Sequence, residues 1–281
     1  VVRAVVNLQW LARPNQDYSA KRASVKTLAD NWQGTTYNYY NFTVKGVVLA
    51  GGLGTRLYPL TKITNKHLLP VYNRPMVLYP LMKMAEAGIR DVLLVTGGQH
   101  AGDFLRLLGS GKELGIRLAY TYQEGEGGIA DALSLAEDFS DGEPIVVILG
   151  DNLFQEPLGP LVNKYPGRGG MIILAEVPDP ERFGVPVIEG GVIRRIIEKP
   201  DEPPSRFAVT GIYFYDERVF GVIRGLSPSG RGELEITDVN NWYIEQGEMR
   251  HEVLSGWWTD AGTFESLFRA SALVRETEVK E

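Results

Sequence analysis

Three glycines, Gly51, Gly52 and Gly54, follow a short apolar run at 47–50 and remove every β-carbon that would keep a phosphate from the backbone. Arg56 stands two residues past the last of them and Lys66 ten further on. A planar guanidinium fork and a point ammonium charge can therefore converge on whatever the loop holds. This is the outline of a polyphosphate site. A P-loop is excluded, because Gly54 is followed by Thr55-Arg56 where that motif needs Lys and then Ser or Thr. The dinucleotide fingerprint fails at its third glycine, where this chain has Leu57. A glycine turn after a strand is by itself only a tight connection. Its conjunction with Thr55, Arg56, Pro59, Lys66 and Pro70 is what points to phosphate chemistry.

Two aspartates add to this outline. Asp151, with Asn152, directly follows an apolar run at 145–149, and in an open α/β sheet the residues just past a strand's carboxyl end sit in the ligand crevice. Asp260 lies far along the chain in Trp258-Thr259-Asp260-Ala261-Gly262-Thr263. Two carboxylates facing a phosphate-holding loop are what Mg²⁺ needs, since that ion takes one or two carboxylates plus phosphate oxygens. Taken singly, each aspartate reads as readily as a turn or cap residue. His67, His100 and His251 share no metal-ligand spacing, and Ser110, Ser134 and Ser255 lack the strand-to-helix elbow of a serine nucleophile.

The elements that must position these residues alternate from Lys45 onward. Apolar runs at 47–50, 92–95, 145–149 and 171–175 have the length of buried parallel strands. Helical patterns separate them at 76–87, 101–108 and 129–138, and later at 218–223 and 237–246. The expected fold class is α/β, a doubly wound, mostly parallel sheet. The alternation at 184–197 and 207–215 suits a smaller antiparallel part, in the sheet or in a substrate subdomain.

Composition sets the outer bounds. The 281 residues, 44% apolar and 23% charged, suit one large globular domain, and no apolar run approaches the ~20 residues needed to span a bilayer. No membrane association is expected. The absence of cysteine rules out disulfides and thiolate metal sites and is compatible with a cytoplasmic location. A net charge of −6 argues against a nucleic-acid partner, while leaving room for a local basic pocket. Residues 1–44 differ from the rest: Arg3, Arg13, Lys21, Arg22 and Lys26 against Asp17 and Asp30 give this segment a charge of +3, and no helical or strand period runs through it. We read it as an N-terminal extension of unknown role, with the domain occupying 45–281.

From Lys45 to about Ala272 the chain resembles the sugar nucleotidyltransferases, and within them the branch that joins dTTP to glucose 1-phosphate. The resemblance rests on six ordered blocks. They are Gly51-Gly52-Leu53-Gly54-Thr55-Arg56 with Lys66-His67-Leu68-Leu69-Pro70; Leu149-Gly150-Asp151-Asn152; Glu198-Lys199-Pro200; Val209-Thr210-Gly211-Ile212-Tyr213-Phe214-Tyr215-Asp216; Arg231-Gly232-Glu233-Leu234-Glu235-Ile236-Thr237-Asp238; and the Trp258 to Thr263 block. It implies a Rossmann-like nucleotidyltransferase fold with a small antiparallel sugar-binding part. It also implies attack by the sugar phosphate on the α-phosphorus of dTTP, with Mg²⁺ as cofactor and dTTP and glucose 1-phosphate as ligands.

Carried over residue by residue, the resemblance makes Arg56, Lys66 and Asp151 catalytic. It assigns Leu49, Gly51, Gly52, Gly54, Thr55, Arg56, Gln99, Gly128 and Asp151 to the nucleotide. Asn152, Gly184, Glu198, Lys199, Val209 and Arg231 go to the sugar phosphate, and Asp151 and Asp260 to the metal. Gln99 is expected to read the base, because its amide can give and accept one hydrogen bond each, matching the imide edge of thymine or uracil. Two departures bear on that choice: Asp131 stands where close relatives have glutamine, and Gly127-Gly128-Ile129 replaces Asp-Gly-Leu. Longer relatives continue after the last block with a helical region that helps form a subunit contact and a regulatory nucleotide site. The resemblance therefore does not extend a feedback site to this chain, although a homo-oligomer remains compatible with it. A UTP-dependent or other-hexose enzyme, and a non-catalytic binding module, are the rival readings. Val44 stands where the family's chains begin, so residues 1–44 are expected to be dispensable for activity.

Overall fold

The computed structural model describes residues 43–280. Its strands are β1 (Lys45–Ala50), β2 (Pro70–Val71), β3 (Arg74–Pro75), β4 (Asp91–Gly97), β5 (Arg117–Gln123), β6 (Ile145–Leu149), β7 (Asn152–Phe154), β8 (Gly170–Glu176), β9 (Gly184–Glu189), β10 (Val192–Glu198), β11 (Phe207–Tyr215), β12 (Met249–Val253) and β13 (Trp258–Asp260). The helices are α1 (Leu78–Glu86), α2 (Ala101–Leu108), α3 (Ile129–Ser134), α4 (Glu137–Ser140), α5 (Leu158–Lys164), α6 (Arg218–Arg224), α7 (Ile236–Glu245) and α8 (Phe264–Lys280). Seven strands form one sheet in the order β12-β8-β11-β6-β1-β4-β5. β11 runs antiparallel to both of its neighbours, while every other pairing in that sheet is parallel.

Why β1 is apolar at every interior position follows from where it sits. Flanked by β4 and β6, it has both faces covered, so Val48 and Ala50 enter one core and Val47 and Leu49 the other. Leu81 and Met84 of α1, Phe104 of α2 and Leu158 of α5 close the first face. Ala130 and Leu133 of α3, Phe220 of α6 and Val239 and Tyr243 of α7 close the second. The sheet is doubly wound, as the apolar runs and intervening helical patterns predict. A third, smaller core of Val71, Met76, Leu153, Ala261, Ala270 and Val274 packs α8 beneath the β7–β13 pair. Among the described residues, no helix is long and apolar enough to cross a membrane.

The structure refines the sequence reading at three places. The helix expected over 129–138 is broken in two, because the Ser134 hydroxyl donates to the Asp131 carbonyl at 2.7 Å and competes for the helical acceptor. Of the two alternating runs, 207–215 is β11, an antiparallel interior strand of the main sheet, and 184–197 forms the separate antiparallel hairpin β9–β10. β2, β3, β5, β7, β12, β13, α5 and α8 are additional elements; β5 and β12 are the edge strands of the large sheet. All but the last two residues of the 1–44 extension lie outside the described residues. The main chain of Lys45 already closes onto the sheet, its N–H donating to the Pro144 carbonyl at 3.0 Å. A variant beginning at Thr43 is therefore expected to match the full chain in melting temperature and turnover, measured side by side. A large loss of either would show that the extension packs on the domain.

Candidate active site

A cavity of about 560 Å³ opens beyond the carboxyl ends of β1 and β6. It brings together Leu49, Gly51, Gly52, Arg56, Lys66, Gly128, Asp151, Asn152, Gly184, Glu198, Lys199, Val209, Arg231 and Asp260. These expected residues come from ten stretches of chain, which is where an α/β sheet places a ligand. Gly54 and Thr55, also expected at the nucleotide, do not line it. Gly54 has φ 66°, and a β-carbon there would come within 2.8 Å of Lys66 Cβ, so this glycine lets the loop turn tightly against Lys66.

At the glycine-loop end, Lys66 Nζ lies 2.6 Å from Asp151 Oδ2. Lys66 is aimed by a single helical turn, Lys66–Leu68, whose preceding residue Asn65 accepts the His67 backbone N–H at 2.9 Å. The same Asn65 Oδ1 lies 2.8 Å from His67 Nδ1, and since an amide oxygen only accepts, Nδ1 carries the proton. Burial, reinforced by the Lys66 charge, lowers His67 to about 3, so the ring is a neutral packing piece. Burial alone would raise Asp151, but the Lys66 ammonium and the hydrogen bonds from Lys66 and Asn152 hold it well below the usual carboxylate range.

Asp260 reaches the same place through strand pairing, because β13 runs antiparallel to β7 with Asp260 opposite Asn152. The Ala261 N–H also donates to the Asp151 carbonyl at 2.8 Å. Asn152 ties the region together: its Nδ2 donates to Asp151 Oδ1 at 2.9 Å, and its Oδ1 accepts from the Gly211 N–H at 2.8 Å and Trp258 Nε1 at 2.7 Å. Burial, and then the negative charge of Asp151, push Asp260 up to about 6 against the pull of Arg182, Arg56 and Lys66. A β-carbon at Gly262 would lie 3.0 Å from Arg56 Nη2 and 3.2 Å from Asp260 Oδ2, so that glycine keeps the guanidinium beside the carboxylate.

At the other end, the β9–β10 hairpin sets Gly184 opposite Glu198. Glu198 Oε2 accepts from Thr237 Oγ1 at 2.7 Å, and its Oε1 lies 3.3 Å from Arg231 Nη2 and 3.7 Å from Lys199 Nζ. Lys199 holds a positive φ of 44°, unusual for a residue with a side chain and a form of strain that concentrates at ligand sites. Thr237 is fixed because α7 is anchored by Tyr243 donating to Asp216 at 2.8 Å and Tyr215 donating to Asn240 at 2.6 Å.

Similarity to known proteins agrees with this geometry. Residues 45–277 match the nucleotidyl transferase family. This chain belongs to that family. It is 42% identical over 241 residues to the glucose-1-phosphate thymidylyltransferase of Neisseria meningitidis, covering 84% of each chain. It is also 42% identical over 243 residues to the enzyme of that name from Mycobacterium tuberculosis, covering 85% of this chain and 84% of the relative. A crystal structure from Bacillus anthracis, provisionally named a glucose-1-phosphate thymidylyltransferase and holding sucrose, is 51% identical with a TM-score of 0.80, covering 83% of this chain and 96% of that one. A UDP-glucose pyrophosphorylase bound to UDP-glucose is 25% identical with a TM-score of 0.72, covering 84% and 99%.

Within this nucleotidyl transferase, the sequence reading misplaced one residue and missed three. Gln99 is exposed on the short turn Gly98–His100 and does not line the cavity. The glutamine that does is Gln123, buried at the end of β5, the strand next to β4. Gln123 is the last residue of β5, whereas Gln99 lies two residues beyond β4, and only the fold shows which of them faces the cavity. Arg182 was unread: its Nη2 lies 3.4 Å from Asp260 Oδ2, and its Nη1 is 2.7 Å from Asp179 Oδ2. Thr237 sits inside a block read only for its order along the chain; its contact with Glu198 is the signal, and it exists only in the fold.

Proposed function

We propose that this chain transfers a thymidylyl group from dTTP to glucose 1-phosphate, giving dTDP-glucose and pyrophosphate. The observation that carries the reading is a single cavity with cations at both ends. Arg56, Lys66 and the glycine loop lie at one end, and Lys199 and Arg231 stand beside the Glu198 carboxylate at the other. A sugar phosphate and a nucleoside triphosphate both need such partners. The relatives named for this reaction support it.

In this reading a phosphate oxygen of glucose 1-phosphate forms the new bond to the α-phosphorus of dTTP. The bond from that phosphorus to the bridging oxygen of the β-phosphate breaks, and its electron pair leaves with pyrophosphate. No general base is required, because the attacking phosphate is already ionised at neutral pH. Catalysis is positioning and neutralisation of charge. Arg56 and the loop amides hold the β- and γ-phosphates, and Lys66 meets the charge developing at the α-phosphate. Lys199 and Arg231 hold the sugar phosphate, with Gly184, Glu198 and Val209 against the sugar and Asn152 fixing the floor. Leu49, Gly51 and Gly128 shape the base pocket, where Gln123 stands in place of Gln99.

The residues present fit Mg²⁺. Asp151 and Asp260 are two buried carboxylates whose mutual repulsion helps raise Asp260, and a cation between them relieves that repulsion. Among the described residues no cluster of three or more His, Cys, Asp or Glu could hold a metal, which suits an ion that completes its shell with phosphate oxygens and water. Held by Asp151 and Asp260, Mg²⁺ would supply further neutralisation of the phosphate charge.

The likeness to a UDP-glucose pyrophosphorylase favours UTP as the rival nucleotide. An amide at Gln123 pairs equally with uracil and thymine, so discrimination comes from the thymine methyl and the sugar 2′ position, each worth about 1–3 kcal/mol. dTTP is therefore expected to be preferred over UTP by about ten- to a hundred-fold, with purine triphosphates much worse. Pyrophosphate release across the dNTPs and UTP, with a panel of sugar 1-phosphates, measures this. Efficient use of ATP or GTP would refute the thymidylyl assignment.

A further inference from the structure

Gly127 adjoins a small hydrogen-bonded unit of Gln123, Gly128 and Asp131, and a side chain at Gly127 would have no room there. Asp131 lies in the first turn of α3, half-buried beside the base end of the cavity. Its Oδ2 accepts from Gln123 Nε2 at 2.7 Å, and the same nitrogen lies 3.2 Å from the Gly128 carbonyl oxygen. A β-carbon on Gly127 would fall 2.4 Å from Asp131 Cγ and 2.5 Å from its Oδ2. Gly127 does not adopt a positive φ, so its backbone makes no demand for glycine. The Asp131 carboxylate makes that demand.

We infer that Asp131 is a positioning residue that locks the Gln123 amide in one of its two orientations, and that Gly127 is the glycine that makes room for the lock. A carboxylate and a backbone carbonyl can only accept, so the Gln123 nitrogen must face them and both its N–H groups are spent there. The carbonyl oxygen is left on the other side, next to Gly51, where a β-carbon would come within 2.7 Å of it. Gln123 therefore presents an acceptor and no donor to the cavity. That selects a base whose reading edge offers a ring N–H, as the imide of thymine or uracil does. It rejects one offering a ring nitrogen acceptor, as cytosine does. An amide at position 131 could itself donate, and would allow Gln123 to turn over.

This inference rests on the proposed nucleotide transfer, and its test separates the two. Asp131→Asn keeps the size of the side chain but removes the restriction to accepting. It is expected to cut the ratio of kcat/KM for dTTP over dCTP by about ten- to a hundred-fold, through the unpairing of groups built to meet one base edge. The loss for dTTP should sit in KM more than in kcat. Gly127→Ala displaces Asp131 and should lower the same ratio, and the double variant should lose little more than either single one, since both act on one hydrogen bond. Melting temperatures report whether each variant is folded. An unchanged dTTP to dCTP ratio in folded Asp131→Asn overturns the lock. If wild type prefers a nucleotide other than dTTP, the thymidylyl reading fails instead. The lock is then judged by whether Asp131→Asn shifts the ratio between that nucleotide and one with the opposite donor and acceptor at the ring nitrogen.

Discussion

Lys66→Ala is expected to lower turnover by about a hundred- to a thousand-fold, the scale of deleting one preorganised donor from a site where charge develops. The motivation is its position, 2.6 Å from Asp151 at the floor of the phosphate end, on a turn fixed by Asn65. The same contact adds a second expected effect. Without Lys66, the buried Asp151 carboxylate loses its nearest cation, so stability should fall by about 1–3 kcal/mol, the usual penalty for an unsatisfied buried polar group. Steady-state turnover and a thermal melt on the same preparation separate these effects. Turnover within a few-fold of wild type would remove Lys66 from the chemistry, whatever the melt shows.

Asp151→Asn and Asp260→Asn form the second prediction with a large effect. Each removes one negative charge from the pair that would hold Mg²⁺, so the Mg²⁺ concentration for half-maximal turnover should rise by at least about tenfold, the lower bound seen when even outer partners of a metal site are removed. The two losses should not add, because both residues serve one ion. Titrating Mg²⁺ against turnover for wild type, both single variants and the double variant gives the cycle directly. Additive losses at an unchanged Mg²⁺ requirement would assign the two aspartates separate structural roles, Asp151 as partner of Lys66 and Asp260 as partner of Arg182.

How much of this was legible beforehand depends on the distance over which each contact is made. The glycine loop, Arg56 and Lys66 lie within one short stretch, so local spacing alone placed a phosphate site there. Asp151 was legible because it ends an apolar strand, and strand ends in such sheets face the ligand. Asp260 needed the pairing of β13 with β7, a long-range contact with no local signature; a motif placed it, not its neighbours. The strands buried on both faces were found because burial makes them continuously apolar, whereas β5 carries arginine and tyrosines on the sheet's edge and reads as loop or strand equally. β5 is not among the strands that apolar runs reveal, so nothing marked Gln123 as a strand-end residue, whereas Gln99 lies two residues past the end of β4. The Gly127 and Asp131 departures both bear on nucleotide choice in the sequence, but that one makes room for the other is visible only in the fold. Arg182 and Thr237 were invisible because their partners lie 78 and 39 residues away.

In the proposed reaction one cavity binds a thymidine triphosphate and a hexose 1-phosphate and joins them. The most direct measurement incubates the full chain with dTTP, glucose 1-phosphate and Mg²⁺, then quantifies sugar nucleotide by mass and pyrophosphate enzymatically. dTDP-glucose and pyrophosphate are expected in equal amounts, with both abolished together when glucose 1-phosphate is omitted. Pyrophosphate without dTDP-glucose, or neither product at saturating substrates, would contradict it.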